Sequence, residues 1–176
     1  MLKTLFKLVA IIASLLVIGL VSCARNLKTE IEPIINKVYA QNNSFSTDNL
    51  DTLILSKNTY KLIDKTNQIT LIDIDRIKKS EYPTDKPLVL EGDLFSSLYE
   101  GHTSFTITSV KEENNKANVT LQFYNKDFKE RWNDNLVLVN EHGWKIEDVI
   151  YHHPSASNTS LKKVLEDFIE NSKQEN

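Results

Sequence analysis

The spacing of apolar side chains changes several times along this chain. Residues 8–22 are uncharged and almost wholly apolar. Helical spacing follows: Ile31, Ile34, Ile35, Val38 and Tyr39 fall at i, i+3, i+4, i+7 and i+8, one face of an α-helix. Thr29 and Glu32 have capping-box spacing at its start. Pro33 is early enough to be tolerated or to kink the first turn, and Gln41-Asn42-Asn43 end the element. Thr47-Asp48 signals a second helix start, continued by Leu50, Leu53 and Ile54. Between Asn58 and Lys79, Tyr60, Ile63, Leu71, Ile74 and Ile77 favour helix again, although the isoleucine-rich stretch 69–74 also fits a strand. Pro83 and Pro87 bracket a loop, and residues 89–101 read as irregular chain or a short helical turn, with Glu91, Asp93 and Phe95 in it.

Beyond this point the period becomes two. Phe105, Ile107 and Ser109 alternate with threonines, Glu113-Asn114-Asn115-Lys116 makes a polar turn, and Val119, Leu121 and Phe123 alternate on the way back. That is a hairpin with one buried face. Residues 125–134 read as a polar excursion carrying Phe128, Arg131 and Trp132. Residues 136–140 and 144–151 form a second hairpin around Glu141-His142-Gly143. A last helix starts near Thr159 or Ser160, with the stripe Leu161, Val164, Leu165, Phe168 and Ile169 facing the sheet. Helices, two hairpins and a helix define an α+β class: an antiparallel sheet of about four strands packed against N-terminal helices and one C-terminal helix.

The first segment calls for a separate reading. Lys3 and Lys7 precede the apolar run, the order of an export signal. As a helix, its 15 residues would reach about 22 Å, short of a bilayer core of about 30 Å. Gly19 and Ser22 supply small residues before a single cysteine. Leu20-Val21-Ser22-Cys23 resembles the lipobox of bacterial lipoproteins. The resemblance implies removal of residues 1–22 and a lipid on the Cys23 thiol, the nucleophile that such chemistry requires. An ordinary secretory signal and an uncleaved anchor are the plainer alternatives. Ala24, rather than aspartate, follows the cysteine. By resemblance to enterobacterial lipoproteins, that favours the outer membrane over the inner. The expected organisation is then a signal at 1–22, a lipidated N-terminus and short tether at 23–28, one domain at 29–170 and a polar tail at 171–176.

With Cys23 the only cysteine, no intrachain disulfide is possible, and a domain of this length needs none. Past the signal there are 19 basic residues against 24 acidic ones, a net charge of −5. That balance, and the lack of a basic run with interleaved aromatics, argues against nucleic acid as a partner. The element order resembles the cone-shaped α+β roll of nuclear transport factor 2-like and cystatin-like folds. Trp144-Lys145-Ile146-Glu147-Asp148-Val149, followed by Ser160-Leu161-Lys162, resembles the C-terminal signature of a bacterial family called domain of unknown function 3828, over residues 92–169. That family includes lipoproteins and supplies no agreed activity. Its aspartate-rich loop before the first strand is here reduced to Glu91-Gly92-Asp93.

Little in the domain suggests catalysis. His152-His153 lie next to each other near a strand end, where neighbours point to opposite faces and cannot readily chelate one metal. His102 and His142 fall in loops or strand ends, and no HExxH-like, Gly-x-Ser-x-Gly or Gly-rich phosphate motif is present. Glu147-Asp148 could place one carboxylate, Asp148, inside a cone as a base or ligand contact; the plainer reading is a hydrogen-bonded structural acid. Asp73-Ile74-Asp75, Glu91 and Asp93 read as surface acids or caps. Trp144 reads as core, whereas Phe128, Arg131 and Trp132 are the types that dominate binding hot spots. The expected protein is therefore an envelope lipoprotein, membrane-bound through Cys23, with no metal or cofactor. Its non-enzymatic domain binds another envelope or secreted protein, as an immunity-type lipoprotein does, or else a small ligand.

Overall fold

The computed structural model describes residues 26–39 and 53–173. The signal, Cys23, the helix start at Thr47-Asp48 and the end of the tail lie outside them. The described elements are α1 (Leu27–Tyr39), α2 (Lys57–Lys78), β1 (Ser104–Glu113), β2 (Lys116–Asn125), β3 (Glu130–Asn140), β4 (Trp144–Ile150) and α3 (Leu161–Asn171). The strands form one antiparallel meander in the order β1-β2-β3-β4. The class is α+β: a four-stranded sheet with two N-terminal helices and one C-terminal helix.

Period-two burial builds the sheet. In β2, Ala117, Val119, Leu121, Phe123 and Asn125 point inward; in β3, Trp132, Asp134, Leu136 and Leu138 do so opposite them. The expected excursion at 125–134 is thus not an excursion. β2 continues to Asn125, β3 begins at Glu130, and only the turn between them is free of the ladder. Trp132 pairs with Phe123 and Asp134 with Leu121, so the alternation persists through an acid that hides it in the sequence. The β1–β2 turn is tight, with Asn114 and Asn115 both at positive φ (49° and 64°). That is the two-residue hairpin geometry asparagine tolerates.

Helix α1 starts at Leu27, two residues before the expected cap, so Thr29 lies inside its first turn. The reason is packing: Leu27 extends the apolar stripe back one turn from Ile31 and rests on the core. The helix spans the sheet from end to end. Near its start Trp144 Nε1 donates to Glu30 (3.2 Å), and Tyr39 at its end donates to the Phe95 carbonyl (2.9 Å).

Leu53 and Ile54 are not helical. Ile54, Leu55 and Ser56 pair with the free edge of β4, through Ser56 N–H to Ile146 O and Ile146 N–H to Ile54 O, both 2.8 Å. Ser160 bridges to Ile150 farther along the same edge, and Tyr151 N–H reaches Thr159 O (3.0 Å). An open strand edge is a template for unwanted pairing, and here two short segments occupy it. Each then caps a helix: Ser56 Oγ accepts from Thr59 N–H at the start of α2, and Ser160 Oγ from Lys163 N–H at the start of α3. Stretch 69–74 stays helical.

Helix α3 packs on α2 as well as on β4, not on the sheet alone as expected. Leu161, Leu165 and Ile169 are buried, and Val164 and Phe168 only half so. Leu165→Ala should therefore cost about 2–5 kcal/mol in urea denaturation, and Phe168→Ala distinctly less. Glu147 and Lys162 tie β4 to α3. Burial acts to raise the Glu147 carboxyl, but hydrogen bonds from Lys162, Ser56 and Asn58, with the Lys162 charge, hold it below its ordinary 4.5. Such a group stabilises the fold above its ordinary value, and the gain is lost as pH falls through the lowered one. The melting-temperature advantage of wild type over Glu147→Gln should accordingly be full at neutral pH and vanish in strong acid.

Candidate functional site

Residues 79–103, between α2 and β1, contain neither helix nor strand. Irregular segments longer than about 12–15 residues are uncommon in compact domains and usually functional. This one is anchored from every layer of the fold. On α2, Thr70 Oγ1 donates to Leu88 O (2.9 Å), and Leu88 N–H donates to Asp73 Oδ2 (2.7 Å). Tyr39 holds Phe95 O, Tyr151 donates to Leu94 O (2.5 Å), and Asn125 Nδ2 donates to Gly101 O (2.8 Å). Burial, aided by the nearby negative charges of Asp93 and Asp134, pushes both tyrosine hydroxyls far up, so they remain donors.

Asp134 is the deepest of these anchors, with no exposed surface. Its Oδ1 accepts from Ser97 Oγ (2.6 Å) and His152 N–H (2.9 Å). Its Oδ2 accepts from Ser97 N–H (2.8 Å) and Trp132 Nε1 (3.1 Å). His153 N–H then donates to Ser97 Oγ (3.0 Å). One carboxylate thus joins the irregular segment, β3 and the chain leaving β4.

Within the segment, residues 94–98 are buried, and the ends of that run are drawn together. Asp93 N–H meets Tyr99 O (3.0 Å), and Asp93 Oδ1 accepts from Phe95 N–H (2.8 Å). Gly92 and Gly101 flank this closure at φ +80° and +72°. A Cβ at Gly92 would lie 2.6 Å from the Tyr99 ring, and one at Gly101 2.9 Å from the Asp93 carboxylate. Both positions require glycine. His102 closes the base, with Nε2 3.1 Å from Tyr39 O and Nδ1 3.7 Å from Asp93 Oδ2, its ring packed against Tyr39, Phe105 and Phe123.

The tip is exposed. Tyr99 keeps 61% of its surface in solvent, its hydroxyl 3.4 Å from Glu91, which also pairs with Lys86. A recess lies on each side of Glu91. One is a cleft of about 190 Å³ lined by Asp93, Ser97, Tyr99, Tyr151, Ser157 and Asn158 among others. The second is a more open groove of about 510 Å³, walled by Asp73, Arg76, Lys86 and Phe168. The residues Glu91-Gly92-Asp93, read in sequence as surface acids, thus border both recesses or the first.

The expected aromatic–arginine patch is not a patch. Trp132 is only 6% exposed and packs on Phe123, because its strand position faces inward. Arg131, one residue earlier, faces the other side of the sheet and lies over the Tyr124 ring at 4.4 Å. Phe128 alone is an exposed ring, at the β2–β3 turn. Asp148 is a structural acid: its Oδ1 accepts from Val149 N–H (2.9 Å) and from Lys162 N–H (3.0 Å) in the first turn of α3. His152 and His153 part company, the first beside Asn135 (3.1 Å), the second edge-on to Trp132. Among the described residues, no group of three or more His, Cys, Asp or Glu side chains could hold a metal ion. Tyr99, Ser97 and Asp134 were not candidates in the sequence. The two glycines bracketing a tyrosine are the one local sign of the site.

Comparisons with family models, curated proteins and solved structures find no match to this chain.

Two substitutions probe the anchor. Trp132→Ala should cost about 3–5 kcal/mol in denaturant titration, as a core ring does. Asp134→Asn should cost about 1–3 kcal/mol for each N–H left without an acceptor, and should raise hydrogen exchange at Ser97 and His152.

Proposed function

We propose that this chain is a lipid-anchored lipoprotein of the bacterial envelope, on the outer membrane in preference to the inner. In this reading the α+β domain is a non-enzymatic module that binds another envelope or secreted protein. The anchor rests on the lipobox-like sequence ending at Cys23. The binding role rests on one observation: the long segment 79–103 is fixed by side chains of α1, α2, β2 and β3 and by Tyr151 just after β4, yet presents Tyr99 to solvent. A rigid scaffold displaying an irregular segment is the usual design of a contact surface, and tyrosine combines large area with few rotors.

Its place in the fold agrees with such a role. Cys23 precedes α1 by four residues, a reach of at most about 14 Å. The start of α1 lies by the β3–β4 turn, and its end touches Phe95. A lipid at Cys23 therefore leaves the 79–103 segment at the end away from the bilayer. An immunity-type lipoprotein, which blocks an incoming toxin, needs that arrangement.

Ligand binding is the second reading, favoured by the 190 Å³ cleft. That volume falls below the roughly 300–1,000 Å³ of drug-sized sites, and the larger groove is walled by charged side chains. Catalysis has less support: all four contacts of Asp134 are donors within the fold, and Asp148 is engaged in holding α3.

Two experiments test the proposal. Cys23→Ser should abolish incorporation of labelled fatty acid, and unchanged labelling removes the anchor. Tyr99→Ala should leave stability within about 0.5 kcal/mol and reduce the yield of co-purifying proteins at least about tenfold, or 1.4 kcal/mol. Undiminished capture puts the interface elsewhere.

A further inference from the structure

Among the described residues, one buried side-chain atom has no hydrogen-bond partner: Nδ1 of His102. Native folds seldom leave a buried polar atom unpaired without a use for it. The side chain is 10% exposed. Its Nε2 lies 3.1 Å from the Tyr39 carbonyl oxygen, which can only accept. Nε2 therefore carries the hydrogen, and Nδ1 of the neutral ring presents a lone pair. Facing that lone pair, 3.7 Å away, is Asp93 Oδ2, a second acceptor. Two acceptors thus meet across a gap with no donor between them.

A metal ion in the gap would need further ligands, and among the described residues no group of three or more suitable side chains exists. A proton needs only these two. On Nδ1 it turns the lone pair into a donor, and the carboxylate can then close from 3.7 Å to the roughly 2.8 Å of a charge-assisted hydrogen bond. The other groups around the ring do not compete. β1 and β2 contribute the rings of Phe105 and Phe123. α1 contributes Tyr39, whose hydroxyl burial keeps protonated. Asp134 of β3, whose charge is felt at Tyr39, has four donors of its own. His153 lies against Trp132 and Ser155.

The position of Asp93 matters because it is the clasp at the neck of the buried run 94–98. Its N–H bonds Tyr99 O, and its Oδ1 accepts from Phe95 N–H. Gly101 leaves the carboxylate room to move, since a Cβ there would stand 2.9 Å from the same Oδ2. We propose that His102 is a proton-operated latch on the 79–103 segment. With a proton on Nδ1 it pins Asp93 and stiffens the neck beneath Tyr99; without one it releases the clasp. Histidine is the side chain whose charge changes between about pH 5 and 8, so mild acid tightens the segment. The latch is internal to the fold and does not depend on what the segment binds.

Nuclear magnetic resonance of the full-length, detergent-solubilised, nitrogen-15-labelled protein, titrated from about pH 8 to 5, tests this. The His102 ring nitrogens should move to the shifts of a charged imidazole, and the Asp93 and Phe95 amides should move with the same midpoint. Protection of those two amides from hydrogen exchange, corrected for the intrinsic pH dependence, should rise at least about tenfold. His102→Gln, which can still donate to the Tyr39 carbonyl but cannot charge, should abolish the gain. Asp93→Asn should abolish it too, whereas His153→Gln should leave it intact. A His102 ring still neutral at the acid end overturns the proposal, and so does a ring that charges with no gain in protection at Asp93 and Phe95. Both outcomes are read on the wild type, so they hold even if a variant fails to fold. A gain that survives His102→Gln, or that is lost on adding a chelator, also overturns it, the latter assigning the gap to a metal ion.

Discussion

The arrangement of the distal half of this domain depends on one buried carboxylate. An unpaired charge with no exposed surface would be very costly. Asp134 is held by four donors: a hydroxyl, an indole and two backbone N–H groups. Three of these donors come from two segments with no regular structure. Ser97 belongs to the stretch before β1 and His152 to the stretch after β4. Neither could find backbone partners in a ladder, and both are satisfied by the same side chain. The acid therefore does for irregular chain what ladder hydrogen bonds do for strands, and it sets where residues 94–98 lie relative to the sheet. The buried Tyr39 and the partly buried Tyr151 then fix the carbonyls of Phe95 and Leu94, leaving Tyr99 to project.

How much of this was legible in sequence depended on whether the governing contact was local. The stripes at Ile31 to Tyr39 and Leu161 to Ile169 are helical spacing and became α1 and α3. The Asn114-Asn115 turn became a tight hairpin, because a two-residue turn chooses its own residues. Trp132 was misplaced because the polar Asn133 and Asp134 interrupt the hydrophobic signal. Alternation from Trp132 through Leu136 and Leu138 was present, but an inward acid does not look like a core residue until its donors are known. The non-helical course of Leu53 and Ile54 was beyond local reasoning, since the strand residues they meet, Lys145 and Ile146, lie about ninety residues away. The candidate site was least legible of all. Its order comes from side chains of four separate elements, so nothing within 79–103 except Gly92 and Gly101 records it.

The 79–103 segment and the outward face of the sheet differ in how they are built. The 79–103 segment is irregular and is held in large part by side chains outside it, so substitutions at Asp134, Tyr39 or Tyr151, which bond to it, would disturb it. The open face of the sheet is ordered by the ladder itself, and outward side chains can change there at little cost to the core.

Helix α1 bears on a different property. Its first turn is held by Trp144, and its last residue bonds Phe95 through the hydroxyl while its carbonyl meets His102. A pull applied at Asn26 is therefore directed along a rod that ends under the display segment. Tension on the N-terminus would shear α1 along the sheet, loading many buried side chains at once instead of peeling them off singly. The first bonds to feel it at the far end are those that position residues 95 and 102. In a molecule held by its N-terminus and gripped at its tip, mechanical load would thus pass through the helix into the very contacts that shape the tip.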